Sequence, residues 1–253
     1  MPNLNFECEY PLDAVILPRF TGECSVKLPS TRVLQLPECC FNGFSLWLDN
    51  YYQAQIKLTL HSDTDITIKD ALYLENIEIC LPESLDVQDT SSNLYFKIRK
   101  APKLKLLKIT QPDLGLSNFL NINIGIDEIG SYDVILDCNC EYIKLSAPNA
   151  NQVLNIYCSY SIDILSLYYI YGESCKINIY ATKPGIAINS IQLCERNRTY
   201  HSTFYPDRNG LLDRDNGLIE DLESLADLPR VMLNNFDYNT RSFQYDTADC
   251  VKI

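Results

Sequence analysis

Between residues 34 and 193 the chain repeats one short pattern, apolar–x–apolar, fifteen times. The pairs begin with Leu34/Leu36, Leu46/Leu48, Ile56/Leu58 and Ile66/Ile68. They pass through Ile77/Ile79, Leu85/Val87, Phe96/Ile98 and Leu107/Ile109, and end at Ile177/Ile179 and Ile191/Leu193. Alternation with a period of two is the mark of a strand buried on one side. Taking every other pair gives one series starting at 34, 56, 77, 96, 120, 143, 165 and 191. The second series starts at 46, 66, 85, 107, 134, 154 and 177. Both advance by about 22 residues, a spacing that predicts coils stacked on one another, each burying its apolar side only against its neighbours. Several strands end at a proline within two or three residues, as in "LQLPE", "IEICLPE", "LKITQP" and "IKLSAP". Proline lacks the ladder donor, so it ends pairing and sets a corner.

The pattern predicts an all-β chain: a parallel β-solenoid of about seven ~22-residue coils with a C-terminal helical cap. The alternative is an antiparallel β-sandwich, which a strand every ~11 residues also suits. Tight hairpins want Gly, and the chain has only nine. The two folds differ in pairing, i to i+22 against i to i+11. Three parts are expected: an N-terminal cap over 1–23, the solenoid over 24–200 and a C-terminal cap over 201–253. After about residue 198 the alternation stops. Leu218, Leu222 and Leu225 then follow helical spacing, with Glu220, Asp221 and Glu223 early and Pro229 at the end. This predicts one helix over 217–228. The tail over 230–253 is expected to be irregular and packed by Phe236, Tyr238, Phe243 and Tyr245.

Two segments carry a resemblance. "LKLLKITQPDL" (104–114) follows the spacing L-x-x-L-x-L-x-x-N-x-L with Pro112 at the Asn position, and "CEYIKLSAPNA" (140–150) follows it with Cys140 and Pro148. Residues 24–200 thus resemble β-solenoid and leucine-rich-repeat-like interaction proteins, among them effectors of intracellular bacteria. The resemblance implies a non-catalytic binding scaffold, delivered into a host cell if it is an effector.

Composition narrows the compartment and the partners. The net charge of −12 argues against general nucleic-acid binding. The eleven cysteines are odd in number, scattered and without a CxxC, and many fall at inward strand positions. They read as reduced core residues of a cytoplasmic protein. Zinc would need paired ligand spacing and usually His, of which there are two. No metal or cofactor is expected. "MPNLNFECEYPLDAVILPRF" has no basic region followed by an apolar run, and no apolar stretch approaches the ~20 residues of a membrane span.

Against that acidity, "YFKIRKAPKLKLLKI" (95–109) carries six of the 21 Lys and Arg and no acid. Lys97 and Arg99 alternate with inward Phe96 and Ile98, Lys100 and Lys103 flank a Pro102 turn, and Lys105 and Lys108 open the next strand. With Tyr95, these six form a candidate docking patch for an acidic protein, or for an anionic lipid surface. The plain alternative is a solvated corner that offsets nearby carboxylates. Lys57, Lys97 and Lys144 are expected at matching coil heights, interrupted by Glu78 and Asn121, with Tyr168 as a further aromatic contact.

Three enzymatic or metal arrangements are weaker. A polysaccharide-acting β-helix would need carboxylates from "SDTD" (62–65) or "LDCNCE" (136–141) to meet across coils within ~5–10 Å. A Cys–His pair is available in Cys194 and His201, with Asp207 to orient it, and His61 lies beside Asp63 and Asp65. Asp213, Asp215 and Gly217 imitate the start of a calcium loop, but Gly falls one position early and Ser224 replaces the closing Glu. The reading that results is a non-catalytic macromolecular interaction scaffold, with a β-helix carbohydrate-active enzyme as the alternative.

Overall fold

The computed structural model describes residues 4–7, 12–16, 22–27, 31–35, 41–47, 55–59, 64–69, 72, 74–81, 92–99, 101–111, 120–126, 129–169, 175–195, 201–207, 210–213 and 229–244. In chain order the strands are β1 (Leu4–Glu7), β2 (Leu12–Ile16), β3 (Gly22–Lys27), β4 (Thr31–Gln35), β5 (Phe41–Trp47), β6 (Gln55–Thr59) and β7 (Thr64–Lys69). Next come β8 (Asn76–Cys80), β9 (Ser92–Ile98), β10 (Leu106–Thr110), β11 (Leu120–Ile126), β12 (Tyr132–Asp137), β13 (Tyr142–Ser146) and β14 (Val153–Cys158). The last are β15 (Ile162–Tyr169), β16 (Lys176–Ala181), β17 (Ile188–Glu195), β18 (His201–Asp207), β19 (Gly210–Asp213), β20 (Arg230–Leu233), β21 (Phe236–Asp237) and β22 (Ser242–Phe243).

Odd strands β1 to β17 pair in order in one sheet and even strands β2 to β16 in a second. The pairings within these two runs are parallel, for example Ile143 with Leu165 and Ile156 with Ile179. Successive strands therefore alternate between two sheets, and each coil stacks on the one before it. The chain is a parallel β-solenoid. The antiparallel sandwich does not form; among the described residues antiparallel pairing is confined to β17–β18–β19 and β21–β22.

Alternation explains the core. Phe96 and Ile98, Ile122 and Ile124, Ile143 and Leu145, and Leu165 and Leu167 are all buried and project inward from the first sheet. Ile77 and Ile79, Leu107 and Ile109, Leu154 and Ile156, and Ile177 and Ile179 meet them from the second. Each stacks on the same position of the next coil at the ~4.8 Å spacing of a sheet. Tyr132 of β12 crosses the interior, fully buried, and its hydroxyl donates to the Ser146 carbonyl of β13. The proline corners act as their chemistry requires. Leu81, Gln111 and Ala147 each donate a backbone N–H to the following coil, and the next residue in each case is Pro82, Pro112 or Pro148. Proline has no N–H with which to carry the ladder further.

The two series cross between β8 and β9. Sequence spacing assigned Ile77 and Phe96 to one sheet, but Ile77 pairs with Leu107 and Phe96 pairs with Ile66. The pair Leu85/Val87, which set that phase, lies outside the described residues. Lys57, Lys97 and Lys144 consequently form no column: Lys57 opposes Glu78 in the second sheet, while Lys97 opposes Thr67 and Lys144 opposes Asn123 in the first.

Strands continue past residue 198. β18 pairs antiparallel with β17, Phe204 opposite Ile191, and Phe204 and Pro206 are its buried positions. A proline inside a strand hides it from pattern reading. Residues 230–243 of the tail include three short strands where irregularity was expected. β20 extends the second sheet beside β16, and Phe236 packs edge-on against Phe243 at 5.0 Å. The helix expected over 217–228 lies outside the described residues, as do Asp215 and Gly217 of the calcium-like loop.

Candidate docking surface

The turn from β9 to β10 takes the chain from the first sheet to the second, and the basic run is that turn. Phe96 and Ile98 face the core, so Tyr95, Lys97 and Arg99 project outward. The backbone N–H of Arg99 still donates to the Ile68 carbonyl at 2.9 Å, which fixes the start of the corner on the preceding coil. Ala101 and Leu104 anchor the loop inward, and Lys103 stays exposed beside Pro102. Lys100 lies outside the described residues.

The run divides into two parts. On the β10 side, Lys105 Nζ donates to Glu75 Oε2 at 2.8 Å, and Lys108 Nζ lies 4.0 Å from Glu78 Oε1. The Lys105 ammonium holds the Glu75 carboxyl below its ordinary range, first through the hydrogen bond and then through its charge, with a smaller share from Lys103. These two lysines offset carboxylates of the preceding coil. On the β9 side no carboxylate within ion-pair range of Lys97 or Arg99 is found among the described residues, and Tyr95 is 49 % exposed.

Beside Tyr95 the outer face of the first sheet dips. The outward residues of β11 are Asn121, Asn123 and Gly125, small compared with Tyr95 and Lys97 on one flank and Tyr142 and Lys144 on the other. A cleft of about 400 Å³ is lined by Tyr95, Asn121, Asn123, Glu141, Tyr142 and Ile164. Lys144 leans away from it, its ammonium 3.7 Å from the centre of the Tyr168 ring on the next coil. This cation–π contact uses the tyrosine that sequence reading had marked as an aromatic contact.

The outer face of the second sheet carries a feature that pattern reading missed. Asn155 Nδ2 donates to Asp133 Oδ1 at 2.8 Å, and Asn178 Nδ2 donates to Asn155 Oδ1 at 2.8 Å. In the neighbouring row Tyr157 and Tyr180 stack at 5.1 Å and 14°. Burial raises the Tyr157 hydroxyl pKa, helped by the Asp133 charge and by Tyr180. The available signal was polar and aromatic residues recurring at the coil step, Asp133, Asn155 and Asn178 beside Tyr157 and Tyr180.

The other candidates fall as follows. Cys194 and His201 are register partners across the β17–β18 ladder, and Cys194 is buried with its sulfur 3.3 Å from Ser166 Oγ. Asp207 sits at the far end of β18, opposite Gly210, about 20 Å from His201 along an extended strand, so it does not orient that residue. Of the acidic residues, Asp65 is registered with Tyr95 and Asp137 with Thr110. Glu141 touches the next coil through its backbone: the Asp163 N–H donates to the Glu141 backbone carbonyl at 3.1 Å, while Asp163 Oδ1 accepts from Asn189 Nδ2 at 2.6 Å. No metal-holding cluster of His, Cys, Asp or Glu occurs among the described residues, and no helix among them is long and apolar enough to cross a membrane.

The fold defines the class, a β-solenoid repeat protein. Comparison with known proteins adds no relative: no family model, no curated protein and no solved structure matches the chain. The two leucine-rich-like segments lie in different sheets, β10 in the second and β13 in the first. Their common spacing comes from inward alternation followed by a proline corner.

Proposed function

We propose that the protein is a non-catalytic interaction scaffold that docks an acidic protein surface through the β9 side of the basic corner. The observation that carries this reading is the contrast within the run: Lys105 and Lys108 face carboxylates of their own chain, whereas Lys97 and Arg99 project outward beside an exposed tyrosine. Cations with no carboxylate in range among the described residues, set beside an aromatic ring on a sheet, suit a charged partner better than an apolar one. The free, buried thiols of Cys138, Cys140 and Cys158 favour a reducing, cytoplasmic setting. Strand pairing that continues from β1 to β17 supports a stack of about seven coils, and the 217–228 pattern supports a helical cap over its C-terminal end. The alternative, a polysaccharide-acting enzyme, would show itself as glycan cleavage lost in Glu141→Gln; the contact of Glu141 with Asp163 is between backbone groups and does not favour it.

The test is a pull-down from cell lysate, with flotation on phosphatidylserine vesicles beside it. Three proteins are compared: wild type, Lys97→Glu/Arg99→Glu and Lys105→Glu/Lys108→Glu. A protein partner captured by wild type and by the second variant but lost by the first supports the reading. Capture that survives the first variant, falls equally in both, or appears only on vesicles overturns it.

A further inference from the structure

We infer that the depression along β11 is a groove for an extended acidic segment of the partner, bound through its backbone. The inference rests on the proposed docking reading, because Tyr95 and Lys97 belong to both. It adds a register and a class of ligand.

The floor of the groove runs along a strand. Asn121, Asn123 and Gly125 are alternate residues on one face of β11, so they stand about 6.8 Å apart. An extended peptide repeats at the same distance, and it presents an N–H and a C=O to the same side at each repeat. A carboxamide matches that pair, with an oxygen to accept and an NH₂ to donate. The Asn123 carboxamide has no hydrogen-bond partner among the described residues. Gly125 extends the floor, for a Cβ built there meets nothing within 4 Å. The walls are higher: Tyr95 and Lys97 on β9, and Tyr142 and Lys144 on β13. The withdrawal of Lys144 toward Tyr168 keeps the second wall back.

Charge sets the class and the direction. Lys97 is registered with Gly125; Lys144, registered with Asn123, is held over Tyr168, so the positive charge at the groove is that of Lys97. Glu141 stands at the opposite end, just before Tyr142, which is registered with Asn121. Acidic side chains are therefore accepted toward the Gly125 end and disfavoured beyond Asn121. A ligand recognised by its backbone at Asn123 and by an acidic side chain at Lys97 requires no unique sequence.

The experiment uses fluorescence anisotropy with a labelled decapeptide of alternating Thr and Glu, its Thr–Lys counterpart, and two Thr–Glu versions N-methylated at every second residue, one on each Thr and one on each Glu. Gly125→Phe fills the floor while leaving every charge in place, and strand positions accept Phe well. Gly125→Ala adds one carbon and controls for loss of the glycine itself. Wild type and Gly125→Ala are expected to bind the acidic peptide at least tenfold tighter than the basic one. Gly125→Phe is expected to lose about tenfold, and N-methylation to weaken binding in one of its two phases only. Equal binding by Gly125→Phe, equal loss in both methylation phases, or no binding of the acidic peptide by wild type overturns the groove. The docking reading is judged separately, by whether Lys97→Glu/Arg99→Glu loses the captured partner. Partner capture that survives Gly125→Phe, with peptide binding unaffected, leaves docking standing and removes only the groove.

Discussion

Replacing Asn155 tests whether the ladder on the second sheet stabilises the stack or only decorates it. Asn155 is the middle rung. It donates to Asp133 on the coil before and accepts from Asn178 on the coil after, both at 2.8 Å. Asn155→Ala removes a hydrogen bond to a carboxylate, worth about 1.5–3 kcal/mol net. It also leaves the Asn178 NH₂ without its acceptor, and Asn178 is only 6 % exposed. An unsatisfied buried donor costs about 1–3 kcal/mol. Water reaching the edge of the sheet recovers part of this, so the expected loss is about 3 kcal/mol. Asn178→Ala removes one bond between neutral groups and leaves Asn155 on its charged partner, at about 1 kcal/mol. The order, with Asn155→Ala costlier by a factor of two or more, is the sharper expectation. Urea unfolding followed by far-UV circular dichroism gives the totals, and hydrogen exchange in β12, β14 and β16 shows where protection is lost, since stacked repeats can open locally. Asn155→Ala costing under 1 kcal/mol, or no more than Asn178→Ala, would refute the argument and reduce the ladder to surface contact.

Two further outcomes follow from the core. Ile143 is fully buried between Ile122 and Leu165, so Ile143→Ala should cost about 2–5 kcal/mol, with exchange protection lost in β11, β13 and β15 before other strands; unchanged protection there would contradict one-dimensional stacking. Burial, helped by Cys138, raises the Cys158 thiol from 9.0 to about 12. The folded protein therefore holds that proton longer than the unfolded chain does. The thiol's contribution to stability is complete below pH 9 and is lost as pH rises toward 12, at up to about 1.4 kcal/mol per pH unit. Urea titrations from pH 8 upward should show this slope reduced in Cys158→Val, and an unchanged slope would remove the thiol as its cause.

Much of this was legible in the sequence because a solenoid writes its core in a strict alternation. Phe96, Ile98, Leu107 and Ile109 declare their direction by their neighbours, and Pro82, Pro112 and Pro148 mark where pairing stops. What alternation does not encode is which strand stacks on which. Leu85/Val87 counts like any other apolar pair, and including it moved Ile77 and Phe96 into one series although they lie in different sheets. The same limit hid the groove. Asn121, Asn123 and Gly125 look unremarkable along the chain and become a depression only when Tyr95 and Tyr142 are set on either side. Short strands at the C-terminal end failed for another reason: Pro206 interrupts the pattern of β18, and the four residues of β20 are too few for a period to emerge.

Coil length gives an independent reason to look at the β9–β11 region. In the first sheet Ile66 is registered with Phe96, thirty residues on, and Phe96 with Ile124, twenty-eight on. Ile124 is registered with Leu145, and Leu145 with Leu167, at steps of only twenty-one and twenty-two. The second sheet repeats the change: Ile79 to Ile109 is thirty residues, whereas Leu136 to Cys158 is twenty-two. A coil needs about 22 residues to close, so the longer coils carry chain that stacking does not require. Repeat proteins tolerate such additions where they leave the core columns in register, and commonly use them for binding. Here the strands do stay in register, Ile66 with Phe96 and Ile79 with Ile109. The basic corner, the exposed Tyr95 and the low floor of β11 all fall on these lengthened coils. A purely structural origin for the basic run would predict lysines scattered over coils of every length, each facing a carboxylate as Lys105 faces Glu75. On the longer coils Lys105 and Lys108 follow that rule, facing Glu75 and Glu78, while Lys97 and Arg99 turn outward as the proposed contact face requires.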